Sequence, residues 1–113
     1  MDLNCDNQDH TEPVVTHLDN QVCARAASIF RALGDPGRLK VLALLAQQEL
    51  CVTEIAVSLD EHMTTISQRL KLLKSERLVH SRRAGKHLFY ELSDSHVAHL
   101  VANALDHASE TGD

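Results

Sequence analysis

Aromatic residues are almost absent from this 113-residue chain, which has no Trp, one Tyr and two Phe although 43% of its residues are hydrophobic. The core must therefore be aliphatic, and this composition favours a mainly helical fold. Long apolar runs are absent too, since none approaches the roughly 20 residues that a membrane-spanning helix needs. The first 20 residues are polar and acidic, unlike a signal peptide, so we expect a cytoplasmic protein.

Cysteine is also scarce. Cys5, Cys23 and Cys51 are an odd number at unrelated spacings, which indicates reduced thiols rather than a disulfide framework. Cys23 is expected to be a small core residue of the first helix. A chain of this length forms a single domain, and domains this small often complete their core by forming oligomers.

Positive charge is unevenly distributed along the chain, whose net charge is −5. Residues 61–90 contain seven Lys and Arg residues against two Glu, so the rest of the chain is strongly acidic. A compact basic segment favours contact with phosphates, while the acidic surface around it repels DNA and so restricts how DNA can dock. The alternative is a solvated basic face without a nucleic-acid partner.

The spacing of apolar residues distinguishes an N-terminal tail from a folded domain. Residues 1–16 lack periodicity and are predicted to be a flexible tail, which leaves residues 17–113 as one DNA-binding and dimerisation domain. A first helix is predicted over residues 18–33. The second begins at Asp35-Pro36, because aspartate is a good N-cap and proline is favoured at the first helical position.

The next two predicted helices are joined by a short turn. The first covers residues 52–59, and the second opens at Thr64 or Thr65, with Leu72 among its inward-facing residues. The second helix is basic, and the Ser, Thr, Gln and Arg side chains near its start suit base edges and phosphates in a major groove. Two helices in this order form a helix-turn-helix, in which the second is the recognition helix.

Strand-forming residues follow directly over residues 78–92, around a basic tip, which predicts a β-hairpin. A hairpin behind a recognition helix makes a winged helix, so the expected fold is mainly α-helical with a small β-hairpin. The basic tip can reach an adjacent groove or the DNA backbone. The residues predicted to contact double-stranded DNA are Thr64, Thr65, Ser67, Gln68, Arg69, Arg82, Arg83 and Lys86.

The last predicted helix carries two pairs of metal-capable side chains, Asp94 with His96 and His107 with Glu110. At about 1.5 Å of rise per residue, the two histidines share a face but lie roughly 16 Å apart, too far for one ion with bonds of about 2 Å. If two copies pack antiparallel across a two-fold axis, each pair meets the other pair of the partner chain. A homodimer with two such sites is therefore predicted; the alternative is four solvated polar residues.

The rest of this helix supports the packing. An apolar stripe runs beside the ligand positions, formed by Val97, Leu100, Val101, Ala104, Leu105 and Ala108. Ser93 is the expected N-cap, which would place Asp94 in the first turn, where the helix dipole favours a carboxylate. His99, one turn after His96, is at most an accessory ligand.

Zinc is the predicted metal because two imidazoles and two carboxylates form a closed tetrahedral site. Co(II) is expected to bind the same donors in vitro, more weakly. A closed site leaves no coordination position for a catalytic water, and the sequence supplies no nucleophile or pocket for an organic substrate. An enzyme is therefore not expected.

A possible second metal site centres on Cys51 and Glu54, which could join Cys5 and His10 of the tail, from the partner chain. The alternative is a partly buried single cysteine beside an unstructured tail.

Several segments of the chain carry a family resemblance. They are Leu33 to Leu39, Glu49 to Val52, Leu72 to Val79, and the whole Asp94-x-His96 and His107-x-x-Glu110 array. From about Cys23 to Glu110 the chain resembles the ArsR/SmtB family of metal-sensing repressors, with one departure at Gln68, where the family often has His. The resemblance implies that an apo dimer binds operator DNA and that metal on the last helix releases it, which derepresses genes for metal efflux or sequestration.

Two other functions remain open. A thiol-based redox switch on the same winged-helix scaffold would depend on Cys23 and Cys51. A purely structural zinc site would hold the dimer together and leave its DNA affinity unchanged.

Overall fold

The computed structural model describes residues 11–13 and 17–110, which form five helices and a small three-stranded sheet. The helices are α1 (Asn20–Leu33), α2 (Pro36–Leu45), α3 (Val52–Leu59), α4 (Met63–Ser75) and α5 (Ser95–Ser109). The strands are β1 (Leu50–Cys51), β2 (Val79–Ala84) and β3 (His87–Leu92). Within these residues no helix is both long and apolar enough to cross a membrane. Most of the predicted tail lies outside the described residues.

Aspartate side chains begin the first two helices. The Asp35 carboxylate accepts a hydrogen bond from the backbone N–H of Arg38 at 2.9 Å, and Pro36 takes the first helical position, as predicted. The Asp19 carboxylate accepts two N–H groups of the first turn of α1, at 2.8 and 3.1 Å. This capping explains why α1 begins after Asp19 and not at the predicted Leu18.

The helix-turn-helix is formed by α3 and α4. Asp60 ends α3 in the left-handed conformation, at φ 54°. The prediction that α4 opens at Thr64 or Thr65 was wrong by one or two residues, because the His62 carbonyl already accepts the N–H of Ile66 at 3.1 Å and Met63 is helical.

The predicted hairpin is formed by β2 and β3, which pair antiparallel from Val79 opposite Leu92 to Ala84 opposite His87. The two residues between them make the turn, and Gly85 adopts φ +64° there, as a tight hairpin turn requires. A third strand was not predicted: β1 pairs with β3, so the strand order is β1-β3-β2.

Aliphatic side chains fill the core, as the composition predicts. Those with almost no exposed surface are Leu42, Ile55, Ile66, Leu70, Leu73, Leu78, Val41, Val79 and Val101. Leu72 is 39% exposed, so its predicted inward orientation was wrong. Successive residues of a helix are rotated by 100°, so the Leu72 side chain points in a different direction from that of the buried Leu73.

The outer helices leave apolar surface exposed. On α1 only Ala32 and Leu33 are buried, while Phe30 is 61% exposed. Cys23 is also exposed, so its predicted place in the core was wrong for the single chain, because the body of α1 projects from the domain. On α5, Val97 and Val101 face the core, while the neighbouring leucines of the apolar stripe are part-exposed.

Candidate metal centre and nucleic-acid interface

The first ligand pair lies at the start of α5. Asp94, and not the predicted Ser93, is the N-cap: its backbone is extended and its Oδ1 accepts the N–H of Val97 at 3.1 Å. The prediction failed because both residues are good caps, and the backbone geometry selects one. His96 is 88% exposed, and its Nδ1 lies 3.6 Å from Asp94 Oδ1. A carboxylate and an imidazole are therefore side by side on the surface, with the second carboxylate oxygen free of the capping bond.

The second pair lies at the other end of α5. The Nδ1 atom of His107 lies 3.6 Å from an Oε1 of Glu110, and both side chains are exposed. Glu110 is the C-cap residue, where the backbone leaves the helix in an extended conformation. Residues three apart lie on the same face at the end of a helix, which places the carboxylate beside the imidazole.

The two pairs do not meet within one chain. Among residues 11–13 and 17–110, no group of three or more His, Cys, Asp or Glu side chains is placed to hold a metal ion. Ten residues of helix lie between His96 and His107, so the two histidines are about 16 Å apart along the axis. Each pair thus supplies one nitrogen and one carboxylate, which is half of a four-coordinate N2O2 set. Leu100 and Leu105, each more than a third exposed, lie between the pairs.

The N-terminal pair also lies close to the helix-turn-helix. Asp94 and His96 line one cleft together with Glu76 and Arg77, which follow the recognition helix α4. On the α1 side of this cleft, Ser28 Oγ donates a hydrogen bond to Glu76 Oε1 at 2.8 Å. The candidate ligands and the end of the recognition helix therefore share one set of neighbours.

The second predicted metal site is only partly described. Cys51 is half-buried at the end of β1, and Glu54 Oε1 accepts the backbone N–H of Cys51 at 2.9 Å. Cys5 and His10 lie outside the described residues. The site therefore stays a prediction.

The exposed face of α4 carries three of the predicted DNA contacts, namely Thr64, Ser67 and Gln68. Lys71, which is not among the predicted contacts, is also exposed on this face, one turn after Ser67. A spacing of i, i+3, i+4 and i+7 from Thr64 would have identified it. Thr65 is half-buried at the edge of this face.

Arg69, one of the predicted DNA contacts, is only partly exposed and lies away from this face. Its Nη1 contacts Glu61 Oε2 at 2.5 Å, and its side chain is only 22% exposed. The guanidinium also covers Gly37 of α2, where an added Cβ would lie 2.5 Å from Arg69 Cζ. Five residues after Thr64, Arg69 points about 140° away from it around the helix. The pair joins α4 to the turn before it, and Arg69 lowers the pKa of the Glu61 carboxyl.

The wing presents its cations in two different ways. Arg83 and Lys86 are exposed and form no ion pair with any described residue. The guanidinium of Arg82 instead makes two hydrogen bonds to Glu49, Nε to Oε2 at 2.7 Å and Nη2 to Oε1 at 2.5 Å. The hydrogen bonds from Arg82, with a smaller contribution from the neighbouring Glu91, lower the pKa of Glu49 from 4.5 to about 2.

Known proteins resemble this chain in sequence and in structure. Residues 35–81 match the model of the bacterial regulatory protein arsR family. A transcriptional repressor SmtB homolog of Synechocystis sp. is 39% identical over 100 residues, which cover 88% of this chain and 74% of the relative. A cadmium resistance transcriptional regulatory protein CadC homolog of Staphylococcus aureus is 38% identical, covering 74% of this chain and 70% of the relative.

A solved structure with the same fold also belongs to a DNA-binding protein. The solution structure of a homodimeric winged helix-turn-helix DNA-binding domain from Mycobacterium bovis superimposes with a TM-score of 0.77 at 32% identity, covering 90% of this chain and 94% of that domain. The sequence relatives and this structural neighbour agree with the helix-turn-helix, the wing and the expectation of a non-enzymatic function. The chain therefore belongs to the arsR family of bacterial regulatory proteins and is a DNA-binding transcriptional regulator with a winged helix-turn-helix fold.

Proposed function

We propose that this protein is a cytoplasmic, metal-responsive repressor that binds operator DNA as an apo homodimer and releases it when Zn(II) binds between the subunits. The observation that carries the proposal is the division of the ligand set on α5. One histidine–carboxylate pair lies at each end of a helix whose intervening leucines are exposed. A second, antiparallel copy of the helix supplies both the missing ligands and the missing apolar cover.

Zinc fits these donors because it accepts nitrogen and oxygen ligands in a tetrahedron and has no ligand-field preference. The relative named for cadmium resistance supports metal as the class of effector. Co(II) serves as a surrogate in vitro, since the same donors bind it more weakly. The cleft that Asp94 and His96 share with Glu76 and Arg77 supports coupling to DNA affinity, because a ligand held at one end of it constrains residues that follow the recognition helix.

A subunit-mixing experiment tests where the site is. In a heterodimer of His96→Ala and His107→Ala protomers, one site loses both histidines and the other keeps all four ligands. We expect each variant homodimer to have lost tight zinc binding, and an equilibrated equal mixture to regain about a quarter of the wild-type sites, because half of the dimers are mixed and each has one intact site. A site built within one chain would give no recovery on mixing.

Release of DNA is tested separately by fluorescence anisotropy, with a labelled duplex from the region upstream of the gene. We expect zinc to release the wild-type dimer and a chelator to restore the complex. His99→Ala is the matched control, since His99 is an exposed histidine of the same helix outside the proposed set. It should respond to zinc like the wild type, whereas His96→Ala should stay bound.

A structural role for zinc predicts a different result. In that case zinc would bind at the mixed-subunit site and stabilise the dimer, yet the anisotropy would not change. Such an outcome would refute metal-dependent release while leaving the location of the site intact.

The thiol-switch alternative has one observation in its favour, because Cys23 is exposed. A variant with all three cysteines replaced by serine separates the two functions. We expect it to keep release by zinc. Loss of that release would instead favour a thiol switch, or zinc binding at the second predicted site around Cys51.

A further inference from the structure

An ion pair crosses the outer face of the sheet. Glu49 lies immediately before β1, at one edge, whereas Arg82 lies in β2, at the other edge. Two strand spacings, about 10 Å, separate these edges. The two side chains nevertheless meet through two hydrogen bonds, above the central strand β3. The guanidinium also lies 5.4 Å from the ring centroid of Phe89 in β3, so a cation–π interaction holds it against the sheet as well.

This pair connects the two parts of the DNA-binding surface. Residue Cys51 ends β1 and is followed at once by α3, the first helix of the helix-turn-helix. Arg82 precedes Arg83 in the wing. The guanidinium of Arg82 is already bound to the Glu49 carboxylate, which would compete with a DNA phosphate for it. Arg83 and Lys86 have no ion-pair partner among the described residues.

We propose that Glu49 and Arg82 are positioning residues, which fix the wing against the helix-turn-helix so that Arg83 and Lys86 are held in place for DNA. This inference rests on the DNA-binding function and is independent of the metal. If Arg82 were itself a phosphate contact, Glu49 would merely be a repulsive charge beside the DNA.

The two roles predict opposite signs for one substitution. Glu49→Gln removes the negative charge that competes with a phosphate for Arg82, so a phosphate-contacting Arg82 would bind DNA more tightly in this variant. With a positioning pair, Glu49→Gln and Arg82→Gln both weaken binding, although their charge changes are opposite. An exposed ion pair changes an equilibrium by about 1.4-fold to fivefold, and two wings per dimer compound this to roughly twofold or more.

The experiment measures anisotropy of the metal-free dimer on a labelled duplex from the region upstream of the gene. We expect both single variants to bind more weakly, the double variant Glu49→Gln/Arg82→Gln to be no weaker than either, and the exchanged pair Glu49→Arg/Arg82→Glu to recover affinity. Recovery on exchange is a result that loss of folding cannot give, and circular dichroism melting identifies any unfolded variant.

Arg83→Gln is the control, because it removes a wing cation that has no partner. It should weaken binding and lower the salt slope. Tighter binding by Glu49→Gln, or no recovery in a folded exchanged variant, would overturn the proposal. Failure of zinc to release the wild-type complex would refute the proposed metal response without affecting this result.

Discussion

Asp94 is expected to have two separable roles, as the N-cap of α5 and as a metal ligand. Its capping bond to the N–H of Val97 is lost in Asp94→Ala but can be kept in Asp94→Asn, whose amide oxygen is also an acceptor. Only the aspartate, however, offers an anionic second oxygen to a metal. The two substitutions therefore separate the roles.

The expected effect of the cap can be estimated. Replacing an N-cap aspartate by alanine costs about 1 kcal/mol, which in a domain of this size lowers Tm by about 4–8 °C. Asp94→Asn should stay within about 2 °C of the wild type, because asparagine is an equally good cap. In the metal-free protein, thermal melting at one fixed protein concentration measures this difference.

Zinc then tests the ligand role. A ligand present at 100 times its Kd stabilises the native state by about 2.7 kcal/mol, so the wild-type melting temperature should rise clearly on addition of zinc. Both Asp94 variants should lose most of that rise. Asp106→Ala is the matched control, since Asp106 is exposed on the same helix and forms no ion pair with a described residue. A full zinc response in Asp94→Asn would refute the ligand role, and an unchanged metal-free Tm in Asp94→Ala would refute the capping argument.

Four further outcomes are expected. Lys71→Ala should reduce the salt dependence of DNA binding: the slope of log affinity against log salt should fall by about 1 for each subunit that loses the contact. Arg69→Ala should lower Tm, because the ion pair of Arg69 with Glu61 joins the recognition helix to the turn before it. Hydrogen bonds, chiefly from Arg82 and to a smaller extent with Glu91, lower the pKa of Glu49 from 4.5 to about 2. The stability that the Glu49 carboxylate contributes is therefore present above pH 4.5 and lost as the pH falls towards 2, so urea midpoints over this range should decline less steeply in Glu49→Gln than in the wild type. Leu42→Ala should lower the free energy of unfolding by about 2–5 kcal/mol, because Leu42 has no exposed surface.

Local sequence chemistry was sufficient to predict much of this fold. The Asp35-Pro36 start of α2 and the hairpin between β2 and β3 depend on interactions between residues close in sequence, and both are present as predicted. Strand β1 was missed because two residues cannot show an alternating pattern. Its pairing with β3 depends on tertiary structure.

The candidate site was less predictable where a basic side chain can pair either with DNA or with an acidic residue of the same chain. The charge of Arg69 and Arg82 predicts DNA contacts for both, yet each side chain pairs with a glutamate, Glu61 and Glu49 respectively. The position of Arg69 on the inner side of α4 was available from helical spacing. The Arg82 pair was not, because its partner lies 33 residues away in the sequence.

The inward orientation of Arg69 also makes this protein suitable for redesign of DNA specificity. The contacts of Arg69 with Glu61 and Gly37 fix α4 against α2 and the preceding turn, on the side opposite the exposed face. The exposed positions Thr64 and Ser67 contribute nothing to that support, and neither do their neighbours Gln68 and Lys71. A library randomised at these four positions, with Arg69 kept, would sample new operator sequences on an unchanged scaffold.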